Sequence, residues 1–390
     1  MSGQQNADRI QTTHIGSLPR PHDLLDIMKA KLNKQPYDES KFQAILSKAV
    51  ADTVKRQVEC GIDIVTDGEF SKPGFFTYIQ QRLEGYERRP NQKLILFQQE
   101  VEAFPEYYAE YFKTAMSGGA LIPITPVVCV GPVKYRGEKP LQTDIDNVKA
   151  AAKAAGIPAN HVFLPATAPS GVGINEYYKS DEEYFQALAS ELNKEYSAIV
   201  EAGLLVQVDD PFLPDIFFEP GLDDAQKKRR AQIYVEATNR ALEGISPDMV
   251  RFHTCYGINE GPRLYEAALS DIIEYVLKIN AGSYSFEGAN PRHEHEYHLF
   301  EKIKVPDGKV LCPGVITHAS NIVEHPELIA ERIVRYAKLV GRENVMAGAD
   351  CGFSSMALYK TEVHNTVVWE KFKALRQGAD LATKQLWGKN

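Results

Sequence analysis

Three residues in this sequence have the types and spacing to hold one metal ion. His253 and Cys255 stand two apart in RFHTCYG. In an extended strand residues i and i+2 point the same way, so both can reach a single ion. Cys351, in AGADCGFSS, ends the last strand-like run, which would lie beside the first in a closed ring of strands. One imidazole and two thiolates suit Zn2+, and three protein ligands leave a fourth position for a substrate. A solitary cysteine reads better as a small buried side chain. That is the reading for Cys60, Cys129 and Cys312, the first at a helix end and the others in strands. A His-x-Cys at one strand end together with a cysteine at another favours the metal. His293, His295 and His298 of NPRHEHEYH do not bring three nitrogens to one point at helical or strand spacing. A loop leading into a helix is expected there, with at most one histidine near the site.

The elements that must position these residues alternate. Strands are predicted at Thr12–Ser17, Ile62–Glu69, Pro126–Val133, His161–Pro165, Leu204–Asp210, Val250–Cys255, Ser283–Gly288, Val310–Ile316 and Val345–Cys351. Apolar residues at three- and four-residue spacing predict helices over Lys41–Cys60, Asp181–Ala202, Ala225–Leu242, Leu264–Lys278 and Pro326–Val340. Ser180 before three acids, and Pro326 with Glu327, supply helix-start chemistry. Strand–helix alternation implies parallel strands with helical crossovers. A closed (β/α)8 barrel is the first choice and an open doubly wound sheet the second; nine strand candidates for eight places make one of them peripheral. The glycine fingerprints of nucleotide folds are missing, since GVGINE lacks its third glycine and no GxxxxGK[ST] occurs. Ser17, Asp67, Glu69, Asp209, Asp210, His253, Cys255, Glu287, His318, Asp350 and Cys351 all fall at C-terminal strand ends. In a barrel those ends converge on one mouth, where active sites are built.

The bulk numbers exclude several function classes. A formal net charge of −8, spread along 390 residues, argues against nucleic acid or an anionic membrane as partner. The one basic run, Lys227 to Arg230, reads as the solvated face of a helix. The first residues, MSGQQNADRIQ, lack the apolar region of a secretory signal. The apolar stretch Gly118–Val133 is broken by three prolines and is too short to span a bilayer. Five scattered cysteines, an odd number, make no disulfide framework. A cytoplasmic protein forming a single domain over 1–390 is expected.

The motifs TTHIGSLPRP, DGE at 67–69, QVDDP at 207–211, FHTCYG at 252–257, SFEGANP at 285–291, PGVITH at 313–318 and GADCGF at 348–353 follow one another in a familiar order. In this the chain resembles the cobalamin-independent methionine synthase superfamily, from residue 11 to the 370s. The match is to the C-terminal catalytic barrel. The chain is thus similar to shorter single-barrel relatives, which include the epoxyalkane:coenzyme M transferases. The resemblance implies the (β/α)8 (TIM) barrel that methionine synthase shares with uroporphyrinogen decarboxylase. It implies Zn2+ held by His253, Cys255 and Cys351, with Glu287 as a labile fourth ligand that a substrate thiol displaces. Glu287 follows His253 by 34 residues (287 − 253), a longer gap than in the methionine synthases. The competing reading of Glu287 is a salt-bridged carboxylate at the barrel mouth, with Arg292.

For homocysteine, the resemblance implies that Ile15, Gly16 and Ser17 bind the carboxylate end. Glu69 and Asp209 would hold the ammonium group, which when buried needs paired anions. The competing reading of DGE and VDDP is capping of the helix after each strand. His318 matches the family's proton donor. The implied activity is that of a zinc-dependent methyltransferase of methionine biosynthesis, like 5-methyltetrahydropteroyltriglutamate–homocysteine S-methyltransferase. The stretches SGGALIPITPVV and ATAPSGVGINEYY stand where that family carries an Arg-Cys pair and a tryptophan against the folate, and have neither, so a folate donor is not implied. The alternatives are alkyl transfer to another thiol such as coenzyme M, with Arg20 meeting its sulfonate, a zinc-free decarboxylase, and a non-catalytic zinc-binding barrel. Oligomeric state is not legible.

Overall fold

The computed structural model describes residues 5–92, 96–115, 119–121, 124–257 and 260–388. Met1 to Gln4, and Gly118, Ile122 and Pro123 of the apolar stretch, lie outside the described residues. Six parallel strands form one curled sheet: β3 (Phe163–Thr167), β5 (Leu205–Asp209), β6 (Val250–His253), β7 (Ser283–Phe286), β8 (Val310–Ile316) and β9 (Gly348–Ala349), neighbours in that order. The two N-terminal staves complete the ring with single bridges. Thr12 pairs with Ala347, and Val65 with Val162, both parallel. Between these staves the Thr12 carbonyl accepts from both Asp63 N and Ile64 N, at 3.0 and 3.1 Å. The result is the eight-membered (β/α)8 barrel.

The expected strands Thr12–Ser17 and Ile62–Glu69 are therefore in place but barely extended. The chain turns out of the β region at Gly16 (φ 135°) and Glu69 (φ 59°), which leaves few residues free to pair. The ninth candidate, Pro126–Val133, is the peripheral one. It becomes β2 (Val127–Tyr135), in a separate three-stranded sheet between β1 (Leu83–Arg88) and β4 (Ile174–Asn175).

Side-chain alternation decides what faces the barrel axis. Val206, Val208, Val250, Phe252, Tyr284 and Phe286 point outward into the main apolar core under the helices. The intervening residues point inward, and Phe163, Leu205, Val310 and Cys312 pack with Ile64 and Met346 as an apolar floor. Above that floor the inward positions turn polar, as Gln207 and Asp209, Arg251 and His253, Ser283 and Ser285.

Ser180 caps its helix, Asp181–Glu201, by accepting from Glu183 N. The helix expected over Leu264–Lys278 is shortened to Leu269–Val276. Arg263 adopts a left-handed φ of 58°, and the Asp271 carboxylate takes Ala268 N at 3.0 Å, which fixes the start. The basic run lies on the helix Asp224–Ala241, where Arg229 and Arg230 pair with Glu182 and Glu219. No helix among the described residues is long and apolar enough to cross a membrane.

Candidate metal and substrate site

Strand register sets the level of the site. Thr167 pairs with Asp209, Asp209 with His253, and His253 with Ser285. These four form one tier at the C-terminal rim. Cys255 stands two residues beyond His253, and Cys351 two beyond β9. Ligand atoms of His253, Cys255 and Cys351 all lie within 4.8 Å of one another. The two sulfurs are 3.2 Å apart and not bonded, since all five cysteines are free thiols. Cys60, Cys129 and Cys312 are buried elsewhere in the core.

The chemistry of this triple fits a soft cation. Both ring nitrogens of His253 are buried without a well-formed hydrogen bond, an expensive condition unless something binds there. Burial, reinforced by the charge of Arg251, pushes the imidazole down to about 3, so its lone pairs are available. Contact with Cys351, and then burial, raises the Cys255 thiol well above its usual range. Two thiolates this close need a cation between them, which a zinc ion would provide.

Glu287 belongs to a second triple, with His318 and Asp350, whose ligand atoms also lie within 4.8 Å of one another. Most of its oxygens are already engaged. Asp350 Oδ1 accepts from Gly288 N and Ala289 N at 2.7 and 2.8 Å, and Oδ2 from Asn290 Nδ2 at 3.1 Å. Glu287 Oε2 takes Arg263 Nη2 at 2.6 Å and Asn290 Nδ2 at 2.7 Å, while Oε1 takes Tyr256 N at 3.2 Å. Burial lifts its carboxyl to about 7 against the opposing pull of Arg263. The salt-bridge partner is thus Arg263; Arg292 is exposed. The His318 ring is 2 % exposed with an unpartnered Nδ1, and burial holds it well below the usual histidine range.

The capping reading holds for Asp210, at the start of the helix Phe212–Phe218, whereas Asp67 closes a turn with no helix directly after it. Asp67 Oδ1 accepts from Glu69 N at 2.8 Å. Asp210 Oδ1 accepts from Phe212 N, Leu213 N and Ser170 Oγ. That leaves Glu69 and Asp209 for other work. Burial raises both carboxyls, and the charge of Glu69 raises Asp209 further. Lys72 Nζ is 3.9 Å from Glu69 Oε2 but also donates to the Pro165 carbonyl at 2.5 Å, so it offsets the pair only in part. Gly16 is needed where it stands: a Cβ there would lie 2.6 Å from Pro165 Cγ and 2.9 Å from Glu69 Oε1. Gln207 ties the tier together, donating to the Ile15 carbonyl and to Asp209 Oδ1. His14 accepts Gly16 N and bonds Gln57, which fastens the Ile15–Ser17 turn to the helix Glu39–Glu59.

One cleft of about 850 Å³ joins these groups. Ile15, Ser17, Glu69, Asp209, His253, Cys255 and Cys351 all line it, whereas Gly16, Glu287 and His318 do not. The remaining wall is largely apolar, built from Phe75, Phe76, Ile124, Phe353, Met356 and Leu358. No lysine or arginine lines it among the described residues. Arg20 is committed elsewhere: its guanidinium donates to the backbone carbonyls of Ser354, Glu69 and Lys72. Among the three downstream histidines, only His293 is buried near the site, stacked on Tyr256 at 4.1 Å. Sequence reasoning missed Arg263, Lys72 and Asn290. The long interval between His253 and Glu287 was the available signal for the first, because extra residues there had to pack somewhere.

The rim of this (β/α)8 barrel thus gathers an imidazole, two thiols and a pair of buried acids on one cleft. The chain belongs to the family described as the cobalamin-independent synthase catalytic domain, whose model matches residues 10–113 and 167–369. It is 23% identical to a protein named methionine synthase from Saccharolobus solfataricus, over 97% of this chain and 96% of that one. It is 24% identical to one from Thermococcus kodakarensis, over 97% and 94%. Among solved structures, a B12-independent methionine synthase from Shewanella sp. W3-18-1, in complex with selenomethionine, superposes with TM-score 0.70. It has 20% identity and covers 98% of this chain and 100% of that one. A putative vitamin-B12 independent methionine synthase from Listeria monocytogenes gives TM-score 0.66 at 18% identity, covering 96% and 99%.

Proposed function

We propose that this chain is a zinc-dependent methyltransferase that acts on the thiol of homocysteine or a related amino thiol. In this reading it is a single catalytic barrel over 1–390 working in the cytoplasm, with small molecules as its partners. The observation that carries it is the cleft, which puts the acid pair Glu69 and Asp209 on the same surface as His253, Cys255 and Cys351. An amino thiol has an ammonium group for the first cluster and a sulfur for the second. The names of the relatives agree with this.

A bound zinc ion would act as a Lewis acid, holding the substrate sulfur as a thiolate at neutral pH. The chain's residues do the rest. His253 and the two cysteines would ligate the ion, and the cysteine charges would keep the bound sulfur electron-rich. Glu69 and Asp209 orient the substrate through its ammonium, while the Ile15–Ser17 turn meets its carboxylate with backbone N–H and the Ser17 hydroxyl. Phe75, Phe76 and Phe353 exclude water from the side where the methyl donor must approach, which favours in-line attack. His318 is buried and neutral at rest, which suits relaying a proton to a leaving atom rather than standing as an acid. Among the described residues, no cationic side chain lines this wall to meet a polyanionic folate. A sulfonate thiol would likewise need a cation near Glu69 and Asp209, where Lys72 is already engaged.

Metal analysis with a thiol panel on the cobalt-substituted protein tests the reading. One equivalent of metal is expected, with homocysteine changing the visible spectrum and a thiol lacking an ammonium group doing so at much higher concentration. Absence of metal would return the choice to the zinc-free decarboxylase. Bound metal that no thiol perturbs would leave a non-catalytic zinc-binding barrel.

A further inference from the structure

Glu287, to which the family resemblance assigns the fourth metal position, is held by protein partners. Glu287 accepts three hydrogen bonds, from the Arg263 guanidinium, the Asn290 amide and Tyr256 N. Arg263 is itself anchored. Its Nε meets Glu266 Oε1 at 2.6 Å, the other Glu266 oxygen meets His293 Nε2 at 3.0 Å, and His293 Nδ1 meets Glu296 Oε2 at 2.8 Å. Each of these side chains is at least nine-tenths buried. Asn290 is braced in turn by Asp350. A guanidinium rooted this firmly in a dry interior is a strong rival for a carboxylate, since charge-assisted bonds there are about twice as strong as neutral ones. Arg263 lies in the segment between Cys255 and the helix Leu269–Val276.

We propose that Arg263 is a positioning residue that competes with the metal for Glu287. It docks the carboxylate whenever a substrate thiol occupies the fourth position, and so sets how readily that position opens. The inference rests on His253, Cys255 and Cys351 being zinc ligands and on Glu287 being the labile fourth. The opposing idea is that Arg263 merely neutralises a buried acid and props up the site. The two differ in sign. Loss of a prop loosens the metal, whereas loss of a rival tightens it.

The test measures zinc affinity by competition with a chromophoric chelator, and homocysteine binding from cobalt absorption. Both are read in the unaltered protein, Arg263→Gln, Arg263→Lys and the double variant Arg263→Gln/Glu287→Gln. Arg263→Gln is expected to bind zinc about tenfold more tightly and homocysteine about tenfold more weakly, the usual size of effect for a residue contacting a ligand. Arg263→Lys keeps a buried cation and folds more securely; it shows the same signs at smaller size, because lysine lacks the fork that bridges Glu266 and Glu287. Adding Glu287→Gln abolishes both shifts. Weaker zinc binding, or unchanged homocysteine affinity, in either Arg263 variant overturns the proposal. If cobalt in the unaltered protein shows no thiolate ligation at all, the zinc reading itself falls, independently of the variants.

Discussion

Two triples of potential metal ligands sit side by side at one rim of the barrel, and they differ in what their ligand atoms already touch. In the first, His253, Cys255 and Cys351 have almost no protein partners. In the second, Glu287 and Asp350 accept three hydrogen bonds each, and only His318 retains a buried, unpartnered nitrogen. Proximity alone would treat the two as equal candidates. Hydrogen-bond accounting separates them, because buried polar atoms are almost always satisfied and the exceptions await a ligand. The first triple is the one left open for the proposed ion, and the second is tied up by the protein, Glu287 by Arg263 and Asn290.

The sharpest way to break this contrast is to remove a sulfur. Cys255→Ser or Cys351→Ser should lose bound metal and lower turnover by at least about a thousandfold, since the activated nucleophile depends on the ion. Retained metal and rate in either variant would erase the distinction. Next comes the acid pair across the cleft. Asp209→Asn should raise KM for an amino thiol by about a hundredfold, the scale for orphaning one partner of a buried charge pair. A thiol without an ammonium group should scarcely notice. Because burial raises both carboxyls, binding of the ammonium thiol should strengthen as rising pH ionises them. A binding titration from pH 5 to 8 that shows the opposite slope would count against the assignment.

In the second triple, Asp350→Asn should keep the metal with affinity reduced by only about tenfold, as an amide nitrogen replaces the oxygen that accepts from Asn290 while the acceptor for Gly288 N and Ala289 N remains. Equilibrium dialysis shows whether it instead behaves like a lost ligand. The smallest expected effect lies furthest out. Burial alone would lower His293, but its bonds to Glu266 and Glu296 outweigh that and raise it to about 9. A raised histidine contributes stability that is present in full below its ordinary value near 6.5. That contribution fades as pH climbs through about 9. Urea midpoints should therefore fall over that window, and His293→Gln should flatten the slope.

Much of this was legible in the residues. Period-two alternation put Asp209, His253 and Glu287 on inward faces, and their places at strand ends put them at one mouth. The peripheral strand followed from counting nine candidates for eight places. Less legible was anything that depends on backbone twist or on distant packing. Thr12–Ser17 and Ile62–Glu69 look like strands because they are apolar and β-branched, yet the turns at Gly16 and Glu69 leave each a single bridge. Leu264 to Ala268 continues the helical spacing, but Arg263 in a left-handed conformation starts a different path. The partner of Glu287 could not be read from neighbours in sequence. Arg292 is five residues away and exposed, whereas Arg263, 24 residues before it, makes the bond.

The closure of the ring has a consequence in time. The Thr12 stave is flanked by the Ile62–Glu69 stave on one side and by Ala347 on the other, so the ring cannot close around Thr12 until Ala347 has been made. Cys351 follows Ser17 by 334 residues (351 − 17), or roughly 15–70 s at typical rates of synthesis. During that interval Cys255 and His253 can emerge, but their third companion cannot. A chain broken off before Cys351 would hold two-thirds of a metal site and one unpaired edge of sheet. If these three residues hold the proposed ion, its capture would have to wait until synthesis has passed Cys351.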